Sequence, residues 1–363
     1  KHIKKKLDGE ELNKDEINRI VKDIVHHHIS DAEASYFVAG CYVRGMSLDE
    51  SISLTEAIIN NSETIKFEGS IIVDKHSSGG IPNNRTTMLV VPIIAAAGLT
   101  IPKTSTRAIT SPAGTADTME VLAPVEHSKE KITEIVKKTK GCMVWGGTRD
   151  LASADDRLIK LEKPLGLDPQ GFLLASILAK KSAVNSTHIL IDLAAGKYAK
   201  HSEKEAKELS KKFIKLGKRL NMKIKPIITK GDDVIGNGVG PALEAKDILE
   251  IFEGHGPEDL KEKGIYMSDL IFKMIGVEVK AKDIKEHGQS RAFPKAVNKA
   301  ESPATSSKGS KYFSFGLLSL SDPQLLHQWP SHFGGDVGAS LAQALMGLFN
   351  FISNHFIFLF IGG

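Results

Sequence analysis

Cysteine is scarce in this sequence. Its 363 residues contain two, Cys41 and Cys142, and neither belongs to a CxxC pair. That excludes a disulfide framework and a cysteine metal site, and a reducing cytoplasm is the expected compartment. No apolar run follows the basic start Lys1-His2-Ile3-Lys4-Lys5-Lys6-Leu7, so it does not read as a signal peptide. An excess of one charge sign is also missing. The formal net charge is +4, and the lysines concentrated in 200–230 come with glutamates. This is the pattern of a solvated helix face, not of a nucleic-acid groove. Residues 337–363 lack Asp, Glu, Lys and Arg and carry Phe349, Phe351, Phe356, Phe358 and Phe360. Their length would suit a membrane helix. Gln343, Asn350, Asn354 and His355 interrupt the run, so it reads as a poorly packing tail rather than an anchor. What remains is ordinary: 41% hydrophobic and 25% charged residues, enough for a large core in two or three domains.

The first part of the chain reads as helices. Within 8–30, Ile17, Ile20, Val21, Ile24 and Val25 recur on one helical face. His26-His27-His28 follow, but neighbours on one helix point in different directions, so no metal site is expected there. Ser30 with Glu33 forms a capping-box pattern for a second helix ending near Gly45. Ser47 with Glu50 repeats it for a third, through about Asn60. A small helical bundle domain over 1–65 is therefore expected.

From Lys66 the texture changes to short β-branched runs alternating with longer amphipathic ones, the pattern of βαβ units. Ile71 to Val73 reads as a strand, 86–97 as a helix kinked at Pro92, and 99–103 as a second strand. Between strand and helix lies Asp74-Lys75-His76-Ser77-Ser78-Gly79-Gly80. A strand, a small-residue loop and a helix bind anions when backbone N–H groups converge on them, although a plain tight turn looks the same. The Lys precedes the glycines, so the loop is not a P-loop. A second loop, from Thr104 to Glu120, carries hydroxyls at Ser105, Thr106, Thr110, Ser111 and Thr115 and one guanidinium, Arg107. It is either a turn rich in caps or a second half of the same site, at the strand ends where open α/β sheets bind ligands. Asp168 before Pro169 suits an N-cap with proline at N1. Ser176 and Lys180 share one helix face, pointing either to solvent or into a cleft.

The residues just quoted carry a resemblance. Lys75-His76-Ser77-Ser78-Gly79-Gly80, Thr86-Thr87 and the run from Ser105 to Glu120 resemble the thymidine phosphorylase family of type II nucleoside phosphorylases. With Leu161-Glu162-Lys163-Pro164-Leu165-Gly166-Leu167-Asp168-Pro169, the likeness is to the archaeal AMP phosphorylase branch, over about residues 8–300. The fold class so implied is α/β: the helical bundle domain, with a helical return near 150–183, plus a larger α/β domain over 66–300 with a mainly parallel sheet. Residues 301–363 are a divergent tail after the linker-like Ser302-Pro303-Ala304-Thr305-Ser306-Ser307.

The implied reaction is phosphorolysis of a nucleoside 5′-monophosphate (AMP, or CMP and UMP) to free base and ribose 1,5-bisphosphate. Inorganic phosphate is the co-substrate and no cofactor is expected. By the resemblance, Lys75, Ser77, Thr87, Ser105 and Thr115 hold phosphate. Gly80, Thr106, Arg107, Ala108, Ile109, Thr110, Ser111, Thr115, Ser176 and Lys200 contact the nucleotide, and Lys180 the base. Asp168 is the proton donor, a role that requires burial to raise its pKa, and His76 is an active-site histidine. A homodimer is implied. A pyrimidine nucleoside phosphorylase, an anthranilate-type phosphoribosyltransferase and a nucleotide-binding remnant without turnover are the alternatives. The sequence departs from the branch in three ways: Asn83 stands where glycine is usual, the branch's preceding domain is not seen, and its C-terminal α/β domain is not recognisable. Asn tolerates positive φ, so the turn at Asn83 should survive.

Overall fold

In a computed structural model the described residues are 1–108, 113–147 and 153–277. Four helices come first: α1 (His2–Leu7), α2 (Lys14–Val25), α3 (Asp31–Arg44) and α4 (Leu48–Asn60). Then follow β1 (Val73–Ser78), α5 (Thr87–Ala96), β2 (Ile101–Ser105), α6 (Thr115–Glu120), α7 (Lys129–Thr139) and β3 (Gly141–Trp145). Next come α8 (Ser153–Leu165), α9 (Gln170–Ser182), β4 (His188–Ala195), α10 (Glu203–Arg219), β5 (Lys223–Lys230), α11 (Pro241–Glu253) and α12 (Glu258–Ile275).

Reciprocal capping boxes start the early helices. Asn13 with Glu16, Ser30 with Glu33 and Ser47 with Glu50 each satisfy orphan N–H groups in both directions. The helix expected over 8–30 is in fact α2 alone, and the basic N-terminal run forms a further helix, α1. Its anchor is Lys6, which is buried and donates to both oxygens of buried Glu50 at 2.7 and 2.8 Å. Ile17, Val21, Phe37, Val38 and Leu54 build one core, and α8 and α9 add Leu158, Phe172 and Ala175 to it.

Among the described residues every strand pairing is parallel. One sheet runs β1-β4-β5 and the other β2-β3. All eight residues of β4 are buried, as its apolar run requires for a strand covered on both faces. The two sheets touch where Ile72 bridges Thr100, with Val73 N–H donating to Thr100 O at 2.8 Å. Beyond that bridge β1 and β2 pair no further, so their carboxyl ends flank an opening.

Two local expectations need correction. β1 begins at Val73, where the β-branched run ends, and Lys75 to Ser78 are strand rather than loop. Their polar side chains are tolerated because the backbone pairs in register with Leu190 to Leu193 of β4. Asp168 does not cap α9: the N-cap is Pro169, with no side-chain cap bond. Nearby, α8 continues through Pro164 to Leu165 and stops at Gly166, whose φ is +62°. Asn83 adopts φ +56° as its type allows, and its Nδ2 donates to Asp247 Oδ2 at 2.5 Å. The expected linker and tail lie outside the described residues.

Candidate active site

A cleft of about 300 Å³ opens at the carboxyl ends of β1 and β2. One wall is made by the ends of those strands and the residues that follow, His76 to Gly80 and Ser105 to Arg107, with Thr87 and Thr115. The facing wall is Glu162 from α8, Asp168, Ser176 and Lys180 from α9, and Lys200 after β4. Gly79 permits the approach of β1 to β4: its φ is +136°, and a Cβ there would lie 2.6 Å from the Ala194 Cβ.

The first wall is rich in hydroxyls. Lys75 is fully buried and does not line the cleft. Its ammonium donates to Ser77 Oγ at 2.6 Å, Thr86 Oγ1 at 2.5 Å and Thr87 Oγ1 at 3.3 Å. Burial pulls it down to about 7, against the opposing pull of Asp192. Ser77 in turn donates to Asp192 Oδ2 at 2.8 Å. Ser105 Oγ is buried and has no hydrogen-bond partner among the described residues. Arg85, missed from the sequence, pairs with Glu244 Oε2 at 2.5 Å and reaches Thr115 Oγ1 at 3.4 Å. His76 is held well below its usual range, first by burial and then by Lys181, Lys103, Lys180 and Lys75, so its imidazole is neutral. Lys103, also missed, is buried under the cleft and depressed mainly by the same burial.

The second loop is pinned from within. Asp117 Oδ2 accepts from Ala108 N at 2.7 Å and Gly114 N at 2.8 Å, drawing both ends of the segment together. Arg107 lines the cleft but is already engaged. It pairs with Asp117, with Glu120 at 2.5 Å and with Glu126 at 2.9 Å, and lies 4.9 Å over the Trp145 ring. Thr106 lines the cleft beside it, Gly80 is exposed at the mouth, and Ile109, Thr110 and Ser111 lie outside the described residues.

On the facing wall Ser176 and Lys180 do turn inward. Lys180 Nζ donates to Ser176 Oγ at 2.6 Å and pairs with buried Asp155. Asp168 is ion-paired with Lys200, and its side chain is 34% exposed. The burial expected of it is therefore only partial. Glu162, missed from the sequence, also lines this wall. It lies seven residues after Asp155 on α8, hence on the same face, and that spacing was the available signal.

Residues 1–62 match the glycosyl transferase family, helical bundle domain, and residues 69–167 match the glycosyl transferase family, a/b domain. The chain is 49% identical over 273 residues to an AMP phosphorylase of Natronomonas pharaonis, covering 75% of this chain and 55% of the relative. It is 50% identical over 284 residues to one from Pyrococcus furiosus, with 78% and 56% covered. The chain thus spans little more than half the length of these curated relatives. In architecture it is similar to the anthranilate phosphoribosyltransferase of Thermus thermophilus. That likeness has a TM-score of 0.59 at 17% identity, covers 82% of this chain and 93% of that one, and concerns the fold alone. A helical bundle, a parallel α/β unit and a hydroxyl-lined cleft between them, with sequence matches to both domain types, place the chain in glycosyl transferase family 3.

Proposed function

We propose that the protein catalyses phosphorolysis of a nucleoside 5′-monophosphate, AMP foremost, releasing the base and ribose 1,5-bisphosphate. The observation that carries this reading is the facing of two chemically different walls across one cleft. Hydroxyls of Ser77, Thr87, Ser105 and Thr115 suit an inorganic phosphate. Lys180, Lys200, Ser176 and the carboxyls beside them suit the base and sugar phosphate. The identity to AMP phosphorylases supports the nucleotide over the nucleoside.

Phosphate held under the sugar attacks C1′ as the bond to the base breaks. The transition state carries oxocarbenium charge, which the adjacent phosphate offsets, so positioning and electrostatics supply most of the acceleration. The buried Lys75 acts from behind, orienting Ser77, Thr86 and Thr87. Near pH 7 an arriving dianion favours its charged form. Neutral His76 offers the substrate a hydrogen bond without a competing positive charge.

The test is a substrate panel. The chain is incubated with phosphate and AMP, CMP, UMP, uridine or thymidine, and free base is measured by chromatography. Adenine should appear from AMP, and only when phosphate is present. Base from thymidine but not from AMP would overturn the nucleotide assignment. AMP binding without release of base would leave a binding protein.

A further inference from the structure

The resemblance implies that Asp168 is the proton donor, yet Asp168 is ion-paired with Lys200. An ammonium beside a carboxyl stabilises the ionised form, which has no proton to give. The pair is built to exchange. Both side chains line the cleft, with Asp168 34% and Lys200 30% exposed, whereas Lys180 and its partner Asp155 are 6% and 4% exposed. Other cations of the cleft are committed elsewhere: Lys180 also to Ser176, Arg107 to three carboxylates, and Arg85 to buried Glu244. The Lys200 backbone is anchored independently of its side chain. Its N–H donates to Gly79 O at 2.8 Å, and Nε2 of the adjacent His201 lies 2.9 Å from Ser78 Oγ. The chain is thus strapped to the end of β1 while the ammonium reaches Asp168, so the ammonium can change partner without the loop moving.

We propose that the nucleotide's own 5′-phosphate arms the acid: Lys200 leaves Asp168 for the phosphate, and Asp168, without its counter-charge and near a dianion, takes up a proton. This deepens the phosphorolysis reading above and rests on it. Lys200 then selects a nucleoside 5′-monophosphate over a nucleoside through turnover as well as binding. A nucleoside brings no anion, so Asp168 stays paired and ionised. The charged and titratable groups facing the pair are Glu162 and Lys163 on α8, Lys180 on α9, His76 on β1 and His201 beside Lys200. Glu162 makes no hydrogen bond or ion pair with any described residue, and burial, then the charge of Asp155, push it up to about 8. It is therefore neutral near pH 7 and does not replace Asp168 on Lys200. His76 and His201 are both held below their usual range, first by burial, and are neutral too.

The step balances as follows. On nucleotide binding Asp168 gains one proton from solvent. A phosphate oxygen bonds to C1′ while the bond from C1′ to N9 of the purine breaks, and that electron pair passes into the base. The Asp168 proton moves to N7, so adenine leaves neutral and Asp168 is left as carboxylate. The proton that hydrogen phosphate sheds on becoming a sugar 1-phosphate returns to solvent, replacing the one taken up. When ribose 1,5-bisphosphate leaves, Lys200 returns to Asp168. Losing an opposite charge at this range raises the protonated fraction of an ionised carboxyl roughly 10- to 10³-fold.

Two measurements test this. The first counts protons exchanged when AMP or adenosine binds near neutral pH without inorganic phosphate, by calorimetry in buffers of different ionisation enthalpy. Wild type should take up more protons than Asp168→Asn on binding AMP, and no more than that variant on binding adenosine. The titration of AMP's own phosphate is common to both proteins and cancels in the difference. Equal uptake by the two proteins, or no binding of AMP, overturns the proposal. The second measurement is turnover. Lys200→Met and Lys200→Gln should raise KM for AMP by about 10-fold or more. Both should also raise kcat on adenosine by about 10-fold or more, because Asp168 no longer faces an ammonium. A lysine that only binds phosphate would leave kcat on adenosine unchanged, and that result overturns the coupling. If no substrate releases base, the phosphorolysis reading fails, and the proton count alone still decides whether Lys200 changes partner.

Discussion

Ser105 shows what a single side chain reveals. Its hydroxyl is buried at the end of β2 and bonded to nothing described, where protein interiors normally leave few polar atoms unmatched. Removing it costs the fold no hydrogen bond. It should cost a phosphate ligand one charge-assisted bond, about 1.5–3 kcal/mol, or roughly a 10- to 100-fold weaker KM for phosphate. Ser105→Ala should therefore keep the wild-type thermal midpoint and kcat while phosphate KM rises. A lowered midpoint with unchanged phosphate KM would make the hydroxyl structural instead. Ser105 stood out in the sequence by its place in a hydroxyl-rich loop after a strand, and it does line the cleft. The way Lys75 serves the site was not legible. Lys75 and Ser77 sit two apart on one face of β1, so the lysine tip meets the Ser77 hydroxyl rather than the cleft. That follows only once the strand is known to run through 73–78, and neither Asp nor Lys advertises a strand. Glu162 was hidden for a related reason: what distinguishes it is the absence of a partner, and no pattern of residue types shows that.

At the scale of elements, the turn before α5 depends on one backbone conformation. Asn83 sits at φ +56°, where a Cβ costs roughly 1–2 kcal/mol for most residues, and its side chain is tied to Asp247. Asn83→Gly keeps the conformation and loses the side-chain bond. Asn83→Ala loses both. Denaturant unfolding should rank them wild type, then glycine, then alanine, with the alanine variant about 1 kcal/mol below the glycine one. An alanine variant as stable as glycine would mean the turn is not held in the left-handed region. The sequence made this turn readable because Asn is among the few residues that accept positive φ. The helix starts at Ser30 and Ser47 were readable too, since a capping box is entirely local. The start of α9 was not. Asp168 has the residue type of an N-cap, but its carboxylate goes to Lys200, which is thirty-two positions away in sequence. A long-range ion pair outcompeted a local cap, and local patterns carry no record of such a competition.

For the molecule as a whole, the helical bundle with a parallel α/β unit was legible from the alternation of textures and from the family motifs. The opening between β1 and β2 was not, because it depends on the two strands having no backbone pairing beyond the bridge from Ile72 to Thr100. That opening gathers buried titratable groups, and their shifts give stability a pH dependence of known sign. Lys75 binds its proton at about 7 in the fold, against about 10.4 in an unfolded chain. Between those values the unfolded state holds a proton that the folded state lacks, so stability rises with pH, by up to roughly 1.4 kcal/mol per unit. Glu162 acts in the opposite sense. Folded, it keeps its proton up to about 8, whereas the unfolded carboxyl ionises near 4.3. Its stabilisation is complete below the lower value and is lost as pH rises toward 8. Replacing Glu162 with Gln removes that loss, so the variant should gain stability relative to wild type at pH 8 and match it near pH 4. Lys75→Met should flatten the rise between pH 7 and 10. Urea midpoints across this range give both comparisons. A Glu162→Gln variant whose offset from wild type is the same at pH 5 and pH 8 would show that the carboxyl is already ionised in the folded cleft.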